Sequence, residues 1–394
     1  IMNYLLNPKR WSLTFKMLTV MIGLPTILVL ILIFYSALIA VNNENEPKLL
    51  LANTTAQAVI DKIERNYFER YGDVQAFAIN KLAVQTALKD TTFADIQDFI
   101  NAMVKIYGIY DIMMICNVEG KVIAINNTDY NGNNIDYDVI SNNNYSDEEW
   151  FKNAISIKDG AYYSDFNIDN GIKKIYGTNG FGMNFAATIK DKNGKIIGVW
   201  RNRSNWARIT QGIREEAEEK LKKEENGSSI FLINDQGIII DALKENYINN
   251  VKISTNDKIN LGDNILSNKD YLFGNGNSRG AYSYPGNKWK VLVAIPKEKL
   301  SLAVFLKKEW LWIVVVSFIS LGMIILLTFL FVKKLSGRIK DVQFSLEELS
   351  KGKPVEIEED TTRDIITEIK TTFNKLSLNL QSTAEFAREI GQGN

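Results

Sequence analysis

The stretch FAATIKDKNGKIIGVW, residues 185–200, decides the architecture. An apolar run (185–189) leads into the polar tetrad Asp191-Lys192-Asn193-Gly194, and a second apolar run (195–200) follows. Glycine closing a tight turn supplies the positive φ that other residues resist, so the pattern reads as a β-hairpin. The same plan occurs upstream as 112–116, Asn117-Val118-Glu119-Gly120, 121–125. It occurs downstream as 230–233, Asn234-Asp235-Gln236-Gly237, 238–241. A last antiparallel pair is expected between 280–284 and 288–295, across Pro285-Gly286.

The sequence around these hairpins is helical. From about residue 46 to 88, Ile60, Ile63, Tyr67, Val74 and Ala78 recur at helical spacing, with Asp61, Lys62, Glu64 and Arg65 between them. A second helix is expected over 93–107. A third, over 205–225, is charged on most faces and connects two sheet modules. The expected fold is α+β: a long helix, a larger module to about residue 225 and a smaller one over 227–300.

Further out, residues 17–41 and 310–332 contain no charged side chain. About 20 apolar residues cross a bilayer as a helix. The first run is longer than a signal-peptide core and no A-x-A site follows it, so it reads as an uncleaved anchor. Lys9, Arg10 and Lys16 precede the first run; Lys333, Lys334, Arg338 and Lys340 follow the second, and they outnumber Lys307 and Lys308 on the other side. Positive charge marks the cytoplasmic side, which puts 1–16 and everything from 333 on inside and 42–309 outside. A multi-pass protein of the inner (plasma) membrane, with both termini cytoplasmic, is expected.

Composition removes several function classes. The 46 basic and 46 acidic residues cancel, against the basic excess of a duplex-binding protein. No histidine is present, which excludes imidazole catalysis and imidazole metal ligation within these residues. Cys116, the single cysteine, excludes an internal disulfide and a thiolate zinc cluster. Acidic residues show no EF-hand spacing, and Gly274-x-Gly276 lacks the strand–loop–helix context of a phosphate loop. No catalytic constellation, cofactor or metal site is expected.

Beyond the second apolar run, Leu335, Ile339, Val342, Leu346 and Leu349 alternate in steps of four and three, and Ile366, Ile369, Phe373, Leu376 and Leu380 do the same. This is the heptad seam of a coiled coil, and it needs a second copy to bury it. Between the two stretches lie the breakers Gly352 and Pro354 and the apolar Val355 and Ile357. Two heptad helices joined by such a connector directly after a membrane span resemble a HAMP linker (333–385), with Asn374 after Phe373 fitting its second helix. Arg338 stands where that family usually has a proline, and Asp364-Ile365-Ile366-Thr367 reduces its acidic opening. The resemblance implies a homodimer, with 386–394 beginning a missing output domain.

The external region resembles the double Cache sensor domain. The order of elements carries the likeness, together with I-I-G-V-W at 196–200 and W-K-V-L-V-A-I-P at 289–296. The whole chain is thus similar to methyl-accepting chemotaxis receptors. That implies a small-molecule ligand outside and a chemotaxis kinase and adaptor as partners through the output domain. A receptor histidine kinase or another HAMP-linked signalling enzyme stays open, as does a ligand-independent anchor. In the Cache family the membrane-distal module usually holds the ligand. Amino-acid-binding members use an R-x-W-Y motif, whose arginine grips the carboxylate, and a later aspartate for the ammonium group. Here Trp150-Phe151 match the aromatic pair, Glu148 occupies the arginine position, and Arg203 falls at or near the aspartate. Both charges are reversed, so amino-acid specificity does not carry over.

The expected ligand is therefore anionic or carboxylate-bearing. Arg203 would hold it, aided by Arg201, which strand alternation puts on the same face. The expected pocket also takes in Glu148, Trp150, Phe151, Tyr162, Tyr163, Asp165 and Trp200. Each ring reads equally as core packing, and Arg203 equally as an ion-pair partner of Glu148 or Asp165.

Overall fold

The computed structural model describes residues 13–89, 93–253, 258–261, 265–299, 308–358 and 364–392. Lys9, Arg10, Lys307 and Arg363 lie outside the described residues. Two compact units divide the chain, Asn43–Glu298 and Ile1–Asn42 with Lys299–Asn394.

Helix α1 (Leu13–Ala78) ends where Asn80 caps a new helix, α2 (Lys81–Leu88), by accepting from the Leu82 amide at 2.9 Å. The break falls inside the single helix expected over 46–88, because an asparagine side chain satisfies the first free amide of a new helix. Helix α3 (Phe93–Tyr107) follows. Strands β1 (Tyr110–Asn117) and β2 (Val122–Ile125) form the first hairpin. Two short helices, α4 (Asp138–Ser141) and α5 (Glu149–Ser156), lead to the two-residue strands β3 (Tyr162–Tyr163) and β4 (Asn167–Ile168). After α6 (Asn170–Tyr176) comes the second hairpin, β5 (Phe181–Lys190) and β6 (Ile196–Asn205). These strands make one antiparallel sheet in the order β2-β1-β6-β5-β3, with β4 also on β5.

A π-helical turn and α7 (Gly212–Glu224) connect to the third hairpin, β7 (Ser229–Ile233) and β8 (Ile239–Asp241). Strands β9 (Lys258–Asn260) and β10 (Ile265–Ser267) pair with each other. Strands β11 (Tyr271–Asn277) and β12 (Lys290–Pro296) complete a second sheet, β11-β12-β7-β8. All three hairpin turns share one chemistry. Asn117, Asp191 and Asn234 each accept two downstream amides on Oδ1, and Gly120, Gly194 and Gly237 hold φ near 80°.

One expected pairing is corrected. The neighbour of the closing strand is β11, and residues 280–284 form a tight loop with a single bridge, Ala281 to Tyr284. Gly274 and Gly276 disguised β11 as a non-strand. Both face α1 so closely that a Cβ would lie 2.2 Å from the Ala52 carbonyl carbon and 2.3 Å from the Ala56 carbonyl oxygen. Glycine here weakens the strand and admits the helix backbone.

One core runs along α1 and takes one face of both sheets, from Ile60, Ile63 and Tyr67 to Phe185, Trp200, Trp289 and Val293. A second core covers the other face of the six-stranded sheet under α4, α5 and α6. A third covers the other face of the four-stranded sheet. With both faces covered, β1 is buried through nearly its whole length.

In the other unit, α8 (Lys308–Ser350) and α9 (Ile365–Gly391) pack through Val342, Ile357, Ile366 and Phe373. Asn374 pins the connector by accepting from the Ile357 amide at 2.9 Å and donating to its carbonyl at 2.8 Å. Asp364 caps α9, accepting from the Ile366 and Thr367 amides, and pairs with Arg338. Helices α1 and α8 are each long and apolar enough to cross a membrane. Leu28, Phe34, Phe318 and Leu326 point outward from these stretches.

Candidate ligand-binding site

Strand β6 carries Arg201 and Arg203 on the face that turns toward α5 and α6, as alternation requires. Arg201 is buried. Its Nε and Nη2 donate to Asn184 Oδ1 at 2.9 and 2.7 Å, and Nη2 meets Asp169 Oδ2 at 2.9 Å. Its guanidinium lies 4.9 Å from the centre of the Trp150 ring and 5.9 Å from that of Tyr145, a cation–π contact with each. Asp169 is fixed by its own helix. As N-cap of α6 it accepts from the Gly171 and Ile172 amides on Oδ1, leaving Oδ2 for the arginine. Burial alone would raise the Asp169 carboxyl, but the Arg201 and Arg203 charges hold it below its ordinary value.

Arg203 is fully buried. Nη1 donates to Asn167 Oδ1, and Nη2 to the carbonyls of Asn167 and Gly180 at 2.9 and 2.8 Å. Its Nε has no partner, and among the described residues no carboxylate oxygen lies within 4 Å of the group. Burial, reinforced by the neighbouring Arg201 charge, lowers its pKa to about 10. A Cβ on Gly182 would fall 2.9 Å from Nε, so glycine makes room for the guanidinium.

Of the expected residues, the fold assembles Trp150, Phe151, Arg201 and Arg203, with half-buried Tyr162 against the same cluster. Four others are elsewhere. Glu148 is exposed and bonds through its main chain, accepting from the Phe151 and Lys152 amides and donating to the Tyr145 carbonyl. Trp200 faces the opposite way, stacked on Phe77 at 5.5 Å, because odd and even positions of β6 alternate. Tyr163 likewise turns to α1, edge-on to Tyr71 and Tyr284. Asp165 accepts from Trp289 Nε1 at 2.7 Å and from Asn287, tying the loop after β3 to the head of β12. Arg203 therefore forms no ion pair with Glu148 or Asp165.

Sequence reasoning missed Asp169, Asn184, Asn167 and Tyr145. Asp169-Asn170-Gly171 before Ile172 is a recognisable helix start that could have pointed to the first. Asn184 sits across the hairpin from Arg203 in register, a pairing that only the strand alignment reveals. Among the described residues no group of side chains could hold a metal ion.

No family model and no curated protein matches the chain. Solved structures do. The ligand-binding domain of the Pseudomonas fluorescens chemoreceptor CtaA, in complex with L-serine, is 14% identical, with a TM-score of 0.44 over 65% of this chain and 100% of that one. The sensor domain of the V. cholerae histidine kinase DctB is 13% identical, with a TM-score of 0.46 over 65% and 100%. The ligand-binding domain of the Pseudomonas aeruginosa amino-acid chemoreceptor PctC, in complex with GABA, is 13% identical, with a TM-score of 0.43 over 65% and 99%. Similarity of this degree bears on neither ligand nor output.

Proposed function

We propose that the chain is a transmembrane sensory receptor that binds a small carboxylate-bearing solute outside the membrane. The observation that carries this reading is Arg203. A fully buried guanidinium with no carboxylate within 4 Å among the described residues is expensive to desolvate, and no contacting acid offsets that cost. Arg201 beside it pairs with Asp169 and lies against the Trp150 and Tyr145 rings. A planar carboxylate matches the paired donors of guanidinium groups. Such a ligand competes with Asn167 and Asp169 for the arginines, and so biases the loop over β4 and α6 between two positions.

In this reading the sensor is 42–309, with a distal module to about 225 and a proximal one over 227–300. The spans are 17–41 and 310–332, and a HAMP-like relay follows over 333–385. Leu346, Ile369, Leu376 and Leu380 are exposed along the heptad seam, which supports burial by a second copy in a homodimer. The output we favour is chemotactic.

The test is thermal unfolding of the chain in lipid nanodiscs against acetate, succinate, citrate and neutral sugars. A ligand at 100 times its dissociation constant stabilises by about 2.7 kcal/mol. We expect a shift with carboxylates that Arg203→Ala abolishes. An equal shift in Arg203→Ala, or silence from every carboxylate, would overturn the assignment.

A further inference from the structure

The ends of β1, β5 and β6, with Lys173 of α6 and the loop that follows it, border a cleft of about 510 Å³. That is the size of a small-molecule site. Arg201, Arg203 and Trp150 are not on its wall; Asp111, Phe181, Asn205, Trp206 and Glu245 are. Glu245 comes from the side of the four-stranded sheet and bridges to the α6–β5 loop, where its Oε1 accepts from Asn179 Nδ2 at 2.6 Å. The cleft is therefore built by both sheet modules.

Two buried groups on its wall keep unmet hydrogen-bonding capacity. Asp111 is 3% exposed; its Oδ1 accepts from Asn205 Nδ2 at 2.6 Å, and Oδ2 takes no hydrogen bond among the described residues. The Trp206 indole N–H, also buried, has no acceptor. Of the nearby cations, Arg203 donates to Asn167 and Gly180, Arg208 donates to the Gly108 carbonyl while its guanidinium lies 3.5 Å from the centre of the Tyr130 ring, and Lys173 stands on the cleft wall itself. Tyr176 donates to the Asp111 main-chain carbonyl at 2.7 Å. A buried carboxylate with a free lone-pair edge on a cavity calls for a cationic donor. The aromatic walls suit an ammonium group as well.

We infer that this cleft binds a small primary amine as its ammonium ion, which donates to Asp111 Oδ2 with Glu245 as the second carboxylate. The site is separate from the arginine pair and opposite to it in charge. Binding also carries a proton signature. Burial raises the Asp111 carboxyl to about 6, so protons compete with the amine as pH falls through that value. The charged groups around it are Arg203, Asp169 and Arg208, with Lys173 and Glu245 on the cleft wall.

Calorimetric titration of the chain in nanodiscs with methylamine, ethanolamine and putrescine tests this. We expect saturable binding of at least one amine at pH 7.5, weakened tenfold or more at pH 5. Asp111→Asn, which keeps the shape of the side chain, is expected to weaken it at least tenfold. Glu245→Gln, at an exposed position that does not threaten folding, is expected to weaken it severalfold. No binding by any of the three amines, or unchanged affinity in both Asp111→Asn and Glu245→Gln, would overturn the inference. Carboxylate binding that is lost in Arg203→Ala, without amine binding, would sink the cleft and leave the arginine site standing. Amine binding with no carboxylate response would do the reverse.

Discussion

Two buried arginines in the same unit are handled in opposite ways. Arg214 on α7 is 1% exposed and surrounded by acid: Glu218 at 2.8 Å, Glu215 at 3.1 Å and Asp241 of β8 at 3.2 Å. Lys222 joins the same network through Glu218 at 2.6 Å. Burial pushes the Asp241 carboxyl up to about 7 even against the pull of Arg214. Arg203 on β6 is as deeply buried, yet its partners are an amide oxygen and two carbonyls. The first arrangement balances its charge and joins the connecting helix to the four-stranded sheet. The second has no carboxylate in contact among the described residues, and the proposed anion site rests on that difference.

Truncation separates the two. Arg214→Ala strands Asp241 as a buried carboxylate and leaves Glu218 to Lys222 alone, and we expect it to cost about 3–5 kcal/mol in denaturant unfolding followed by tryptophan fluorescence. A protonation effect of next rank belongs to Asp111, whose carboxyl lies above its ordinary 3.8, at about 6. The native state then binds this proton more tightly than the unfolded chain, so stability falls as pH rises from about 4 to 6. Relative to wild type, Asp111→Asn should gain about 3 kcal/mol across that window and nothing further above it. Arg203→Met leaves three neutral acceptors to find new partners but no stranded charge, so a loss of about 1–3 kcal/mol is expected. Were Arg203→Met to cost more than Arg214→Ala, the contrast between the two sites would fail. Asn80→Ala, which removes a cap and touches neither arginine, should cost only about 1 kcal/mol and sets the scale of an ordinary local loss.

The three hairpins were legible because each turn writes its geometry into sequence: an Asx side chain that collects two amides, then a glycine at positive φ. The apolar spans and heptads were legible for the same reason, since their period is their structure. Strand β11 was not, because Gly274 and Gly276 serve the approach of α1 and leave no strand signature behind. The site was half legible. Alternation put Arg201 and Arg203 together, and the helix pattern supplied Trp150 and Phe151. The same alternation should have warned that Trp200 and Tyr163 face away. Asn184 lay beyond reach, since it meets Arg201 through a register that distance along the chain does not encode; Asp169 was legible as a helix cap, though not as the partner of Arg201.

The two glycines of β11 also index one element against the other. Ala52 and Ala56 are four residues apart on a helix, about 6 Å of rise, and Gly274 and Gly276 are two apart on a strand, about 6.6 Å. The two pitches are nearly commensurate, so helix and strand mesh like a short rack and pinion with two teeth engaged. A small axial slide would drive Leu272, on the same face of the strand, against the helix backbone. Motion along α1 must then carry the four-stranded sheet with it as one piece, or advance by a whole tooth.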